Sequence, residues 1–185
     1  TKIVARDGSG DYTKVQDAFK SVPDNYTGVW RIFVKKGTYK EKLLLAKNKI
    51  NVVLQGEERD STILTYDDYA GKAGLGTSGS YSVSIDANDF MAKDITFQNT
   101  VKNDGSFPDQ QGVALRANGD KQIYFNCKML GYQDTYYTYG IGRIYNKDCY
   151  IEGSVDFIFG KSTAVFDHCT INCNRNNSVL TSAST

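Results

Sequence analysis

The sequence predicts an all-β solenoid of stacked parallel coils with a short helix over one end. Three observations carry this prediction. Strand-like segments are short and punctuated by turns, in a chain with 17 Gly, 13 Tyr and 9 Phe but only 2 Pro. Aromatics suit pleated, half-buried surfaces, and Gly, Asn and Asp suit tight corners. A cysteine-anchored pattern recurs at intervals of 22 and 20 residues, the period of a unit that buries its apolar face only by stacking on its neighbours. Helical periodicity is clear in one segment alone. With 185 residues the chain fits a single domain, 1–185.

The helix comes first. After Asp7-Gly8-Ser9-Gly10, either Asp11 or Thr13 is the expected cap, and Val15, Ala18, Phe19 and Val22 fall at i, i+3, i+4 and i+7 before Pro23 stops the pattern. One apolar stripe covers one surface. In a solenoid that surface is an open end, where unpaired strand edges invite aggregation. From Trp30 onward short strands are expected at 30–34, 43–45, 50–54, 62–65 and 82–85, with turns at 36–38, 55–57 and 117–119. Segments 71–80, rich in Gly and Ser, and 102–110, polar, read as loops rather than linkers, because strand patterning resumes after each.

The repeat is read from its anchors. Ile123-Tyr-Phe-Asn-Cys127, Ile144-Tyr-Asn-Lys-Asp-Cys149 and Val165-Phe-Asp-His-Cys169 are three copies, and an earlier one, from Met91, places Asp94 at the anchor, 33 residues before Cys127. A leucine-rich repeat has a similar period but needs a Leu/Asn signature that is missing here. A β-sandwich is the other alternative. Stacked coils put equivalent residues about 4.8 Å apart, within disulfide reach, so Cys127 and Cys149 fit either a bridge between adjacent coils or two buried thiols.

Seven residues past Cys127 and Cys149 stand Asp134 and Asp156, each shortly after a glycine, Gly131 or Gly153. Two carboxyls on neighbouring coils cannot both ionise cheaply, so one pKa rises and the pair titrates together. One acid beside one carboxylate serves many hydrolytic mechanisms, whereas a ladder of solvated turn aspartates is the bland alternative. Gln133 precedes Asp134, and Gln111 lies a coil earlier; an uncharged amide can donate to a developing oxyanion. Tyr132, Tyr136, Tyr137, Phe157 and Phe159 crowd the same segments, where aromatic faces suit sugar rings and the solenoid interior claims one of the two phenylalanines.

Composition removes other classes. Lys+Arg 22 against Asp+Glu 21 gives a net charge of +1, without the basic surplus of a general nucleic-acid binder. The longest apolar run, 43–46, is far short of the roughly 20 residues of a membrane-spanning helix. No His/Cys/carboxylate cluster has metal-ligand spacing, and the lone His168, beside Cys169, reads as structural. The sequons at Asn25 and Asn176 matter only in a host that glycosylates exported proteins.

Four motifs in series, Gly37-x-Tyr39-x-Glu41, Gln111-Gly-Val-Ala-Leu115, Gly131-Tyr-Gln-Asp-Thr135 and Gly153-Ser-Val-Asp-Phe-Ile-Phe-Gly160, resemble the pectin methylesterases in order and spacing, from about Asp7 to the end of the chain. The resemblance implies a right-handed parallel β-helix, secreted to an extracellular, cell-wall or periplasmic location, that removes methyl groups from methylated galacturonan (pectin) without a metal or cofactor. It implies Asp156 as nucleophile, Asp134 as acid and then base, Gln111 and Gln133 as oxyanion donors, and Thr77, Gln111, Tyr137 and Phe159 as substrate contacts. There are departures from the family pattern. Ser78 stands where an aromatic is common, and the Gly-Arg-Pro-Trp segment, whose arginine would hold the nucleophile ionised, is missing; Arg143 in Gly-Ile-Gly-Arg lacks the following Pro-Trp and is not assigned to it. The expectation is therefore a domain truncated at its C-terminal end, with the missing segment as a partner. Competing readings are a β-helical pectin depolymerase, which needs a different carboxylate or calcium kit, and a non-catalytic polysaccharide-binding β-helix.

Overall fold

In a computed structural model, residues 1–183 wind as a parallel β-helix; the last two positions of the expected domain, 184 and 185, lie outside the described residues. Three parallel sheets run along the coil, here called A (seven strands), B (six) and C (six). Each complete coil contributes one strand to each in that order: Gln122–Phe125 in A, Lys128–Leu130 in B and Tyr136–Thr138 in C, then Arg143–Lys147, Tyr150–Gly153 and Val155–Gly160. Every strand pairs with its counterpart one coil away, so side chains that alternate in and out along a strand form rows along the solenoid. Inward rows make one continuous core that includes Val4, Ile32, Leu54, Phe90, Phe97, Tyr124, Tyr136 and Phe157. Tyr124 packs at its centre against Phe90, Phe97 and Tyr136, with centroids 6.0–6.1 Å apart. The buried hydroxyls of Tyr124 and Tyr136 donate to Gln122 Oε1 (2.9 Å) and Asn146 Oδ1 (3.0 Å), which satisfies them inside the core.

The expected strands form, with Trp30–Val34 and Leu43–Leu45 as read and the others shifted by a residue or two to Val52–Gly56, Thr62–Tyr66 and Val83–Ile85. Segment 71–80 is not plain loop. It holds a 3-10 turn, Lys72–Gly74, and a one-turn helix, Gly76–Gly79. The cysteine row is also one residue out of the expected phase at its first copy. Lys93 pairs with Phe125 and Thr96 with Lys128, so Ile95, not Asp94, precedes Cys127 in the inward row. Asp94 belongs instead to a row of left-handed turn residues, with Asn126, Asp148 and His168 (φ 50–56°). Short polar side chains tolerate this conformation. Asn126 Nδ2 donates to Asp94 Oδ1 at 2.7 Å, linking two steps of that ladder.

The bridge between Cys127 and Cys149 is absent; both are buried free thiols. Coil stacking brings the two thiols together as expected, each acting on the other's titration, and each sulfur also lies near a backbone carbonyl: Cys127 Sγ is 3.4 Å from Phe125 O and Cys149 Sγ 3.3 Å from Tyr124 O.

The helix, Val15–Ser21, buries Val15, Ala18 and Phe19 over the first strands. It packs on Leu43–Leu45, the terminal strand of sheet C. Gln16 completes the closure by mimicking a further strand: its Oε1 accepts from Leu44 N (2.8 Å) and its Nε2 donates to Leu44 O (3.1 Å). The expected caps do not act as such. Asp11 accepts from Ile3 N at 2.7 Å, and Thr13 makes no capping bond. Glu41 supplies the cap from another coil, its carboxylate accepting from Val15 N (2.9 Å) and Gln16 N (3.2 Å), with the helix dipole adding to the attraction. Glu41→Ala should therefore cost about 1–2 kcal/mol of stability, read as a lower midpoint in urea unfolding, whereas Thr13→Ala should leave the midpoint unchanged.

Candidate active site

Two adjacent coils carry the predicted acid pair just after the turn from sheet B to sheet C. There Tyr136 pairs with Ile158 and Tyr137 with Phe159. Two positions upstream, Asp134 and Asp156 stand at equivalent places, and the Asp134 amide donates to the Val155 carbonyl at 3.0 Å. Both aspartates adopt the left-handed backbone, with φ of 66° and 48°. At Asp156 the strand is irregular, and its register with the next coil shifts between Val155 and Ile158; such a bulge re-aims a side chain that would otherwise follow the pleat. Gly153 permits the fold-back, since a Cβ there would meet Phe157 Cβ at 2.2 Å and the Tyr132 carbonyl oxygen at 2.7 Å.

Asp134 is 8% exposed. Burial, and next the charge of Asp156, push its pKa up to about 7, while the Thr77 hydroxyl beside it pulls slightly the other way. Asp134 thus keeps a proton to about pH 7. This pairing distinguishes the site from a ladder of solvated turn aspartates.

The two glutamines differ in their surroundings. Gln133 Oε1 accepts from Asn103 Nδ2 at 2.6 Å, while Gln111 Oε1 is buried without a hydrogen-bond partner. Tyr137 and Phe159 lie on the outer face of sheet C and stack with centroids 4.1 Å apart and planes 15° from parallel. Phe157 and Tyr136 go into the core instead; strict alternation would put Phe157 and Phe159 on one face, and the irregularity between Val155 and Ile158 sends only the first of them inward. Tyr139 extends the aromatic surface, edge-on to Tyr137 at 5.0 Å.

Thr77 reaches Asp134 from the one-turn helix, which two basic residues hold by its carbonyls. Arg116 Nη1 donates to Ser78 O at 2.8 Å and Lys42 Nζ to Gly79 O at 2.7 Å. Arg116 shares an outward row with Tyr137 and Phe159; its Nε donates to Ser84 Oγ (2.9 Å), and its guanidinium lies 4.6 Å from the Tyr81 ring centroid and 5.4 Å from that of Tyr139. Sequence reading missed Arg116 and Asn103. Period-two alternation from Leu115 would have placed Arg116 on the outer face, whereas nothing in the polar segment 102–110 singled out Asn103.

Arg143 and His168 are paired elsewhere. Arg143 forms a two-point ion pair with Asp120 (2.9 and 2.6 Å) in a cavity of about 550 Å³ on the turn from sheet C to sheet A. His168 sits on an exposed turn against Asp167 at 2.5 Å. Among the described residues no lysine or arginine pairs with Asp156, and no group of three or more His, Cys, Asp or Glu side chains is arranged to hold a metal ion.

This geometry can be set beside known proteins. The sequence profile of the Pectinesterase family matches residues 1–184. The chain belongs to the pectinesterase family. Pectinesterase 31 of Arabidopsis thaliana is 43% identical over an alignment covering 92% of this chain and 55% of that protein. Pectin methylesterase from carrot superposes with a TM-score of 0.89 at 36% identity, over 95% of this chain and 53% of that one. A pectin methylesterase crystallised with a hexasaccharide gives a TM-score of 0.86 at 33% identity, over 99% and 60%. The chain thus spans about half the length of these pectinesterases, and its fold is theirs.

The raised pKa of Asp134 has a cost that pH reveals. Unfolded, the carboxyl loses its proton above about pH 4, whereas the folded site keeps it until about pH 7, so stability declines as pH rises through that window. Asp134→Asn removes this penalty. Its melting temperature should exceed that of the parent at pH 8, and the difference should vanish near pH 4.

Proposed function

We propose that this pectinesterase-family chain hydrolyses methyl esters of galacturonan, with Asp156 as nucleophile and Asp134 as proton carrier. The paired aspartates on adjacent coils, one of them kept protonated near neutrality, support this reading most directly. Membership of the family and the hexasaccharide bound by a related pectin methylesterase support pectin as the substrate and partner, and a cell-wall or other extracellular setting.

In this mechanism the Asp156 carboxylate attacks the ester carbonyl carbon. The carbonyl oxygen becomes an oxyanion that accepts N–H bonds from Gln111 and Gln133, strongest where the charge develops. The tetrahedral intermediate collapses and its C–O bond to methoxide breaks. Asp134 gives up its proton to release methanol, leaving an anhydride between Asp156 and the sugar. Asp134, now a carboxylate, takes a proton from water, and the resulting hydroxide attacks the galacturonate carbonyl of the anhydride. That step frees Asp156, leaves the galacturonate acid and returns the proton to Asp134. The stacked faces of Tyr137 and Phe159 offer an apolar platform for sugar rings, and Thr77 borders the reacting ester.

Methanol release from highly methylated pectin tests the reading. Asp156→Ala should lower the rate by at least about a thousandfold, and the profile of kcat/KM should fall with an alkaline limb near pH 7, where Asp134 loses its proton. A folded parent protein that binds pectin yet liberates no methanol would support the non-catalytic polysaccharide-binding reading instead.

A further inference from the structure

Gln133 and Gln111 hold the same chemical group in two different ways. A primary amide has an acceptor end and a donor end, and an oxyanion donor serves only when its Nε2 hydrogens face the cleft. The oxygen of Gln133 is tied at 2.6 Å to Asn103 Nδ2. Gln111 Oε1 has no partner, so no such bond fixes its orientation. Asn103 is itself held on both sides. Before it, the buried Asn99 accepts from Val101 N (2.9 Å) and donates to the Asp68 and Ser80 carbonyls (3.0 and 3.2 Å). After it, Asp104 accepts from Ser106 N (3.0 Å) and Gln110 Nε2 (3.1 Å), while Gln110, 5% exposed, accepts from Gly105 N (2.8 Å). A segment without regular structure is thus pinned at the residue that touches Gln133.

We propose that Asn103 is a positioning residue for ester hydrolysis: by binding the oxygen of the Gln133 amide it commits both Nε2 hydrogens to the cleft, making Gln133 the preorganised oxyanion donor. The proposal rests on the pectinesterase reading above and adds to it a division of labour between the two glutamines. Preorganised donors matter because they need no reorientation as charge develops.

Asn103→Asp is the decisive variant. It keeps the size of the side chain but replaces the donor by an acceptor, so Gln133 turns its Nε2 toward position 103 and its oxygen toward the cleft. The expected result is a fall in kcat for methanol release of about a hundredfold, with KM and melting temperature nearly unchanged. Asn103→Leu, which removes the anchor without adding charge, should lose less. In a Gln133→Leu background neither substitution should lower kcat further; a further loss there, or an effect confined to KM, overturns the proposal. A second readout does not depend on turnover. The Gln133 side-chain amide protons, followed by NMR, should exchange more slowly with water and move downfield in Asn103→Asp. Unchanged amide signals overturn the proposal even for a parent protein that releases no methanol, whereas absent methanol with shifted signals defeats only the esterase reading.

Discussion

The site depends on the vertical register of a parallel β-helix. Each strand pairs with its counterpart one coil away, so residues a coil apart in sequence become neighbours at about 4.8 Å, and whatever the sequence repeats becomes a row. Where the repeated residue is apolar, the row is core, as with Val83, Leu115, Tyr136 and Ile158. Where it is Asn, Asp or His in the left-handed conformation, the row is a turn ladder. At Asp134 and Asp156 it is a pair of carboxyls that a solvent-exposed surface would keep apart. The same stacking forces them into one electrostatic field and raises the pKa of the more buried member.

That field sets a trade between stability and chemistry. A carboxyl that retains its proton to about pH 7 weakens the folded state at higher pH, yet a proton donor working near neutrality needs this property. The surrounding structure holds the arrangement in place. Gly153 admits the fold-back behind Asp156, Arg116 and Lys42 fasten the Thr77 turn through its carbonyls, and Asn103 fastens Gln133. These supports come from different coils or from segments outside the repeat, which is why altering one is expected to change the site without unwinding the solenoid.

Much of this was legible in the sequence. Periodicity located the helix and most strands because burial on one side leaves a regular pattern, and the count of seven past Cys127 and Cys149 found the acids because equal spacing in a solenoid means equal height. The errors share a cause. Asp11 and Thr13 were nearest in sequence to the helix start, but Glu41 reached it through space. Asp94 was aligned with the cysteines because it filled an anchor slot in the string, although its backbone belongs to the turn and Ile95 fills the inward place. Cys127 and Cys149 are stacked as expected and their thiols meet, yet both are free, because adjacency in register does not by itself join two sulfurs.

By itself, the sequence determined the coil, the family resemblance, the inward and outward faces, and the heights at which Asp134, Asp156, Tyr137 and Phe159 stand, because all of these follow from spacing along one strand-and-turn period. Folding in three dimensions was needed to bury Asp134 and raise its pKa, to bring Glu41 to the helix start, to set Arg116 on the Thr77 turn and to fix which way the Gln133 amide is held. Those outcomes depend on burial and on hydrogen bonds between residues as far as 38 positions apart, and no local pattern encodes the direction of a contact that forms only after the chain has wound.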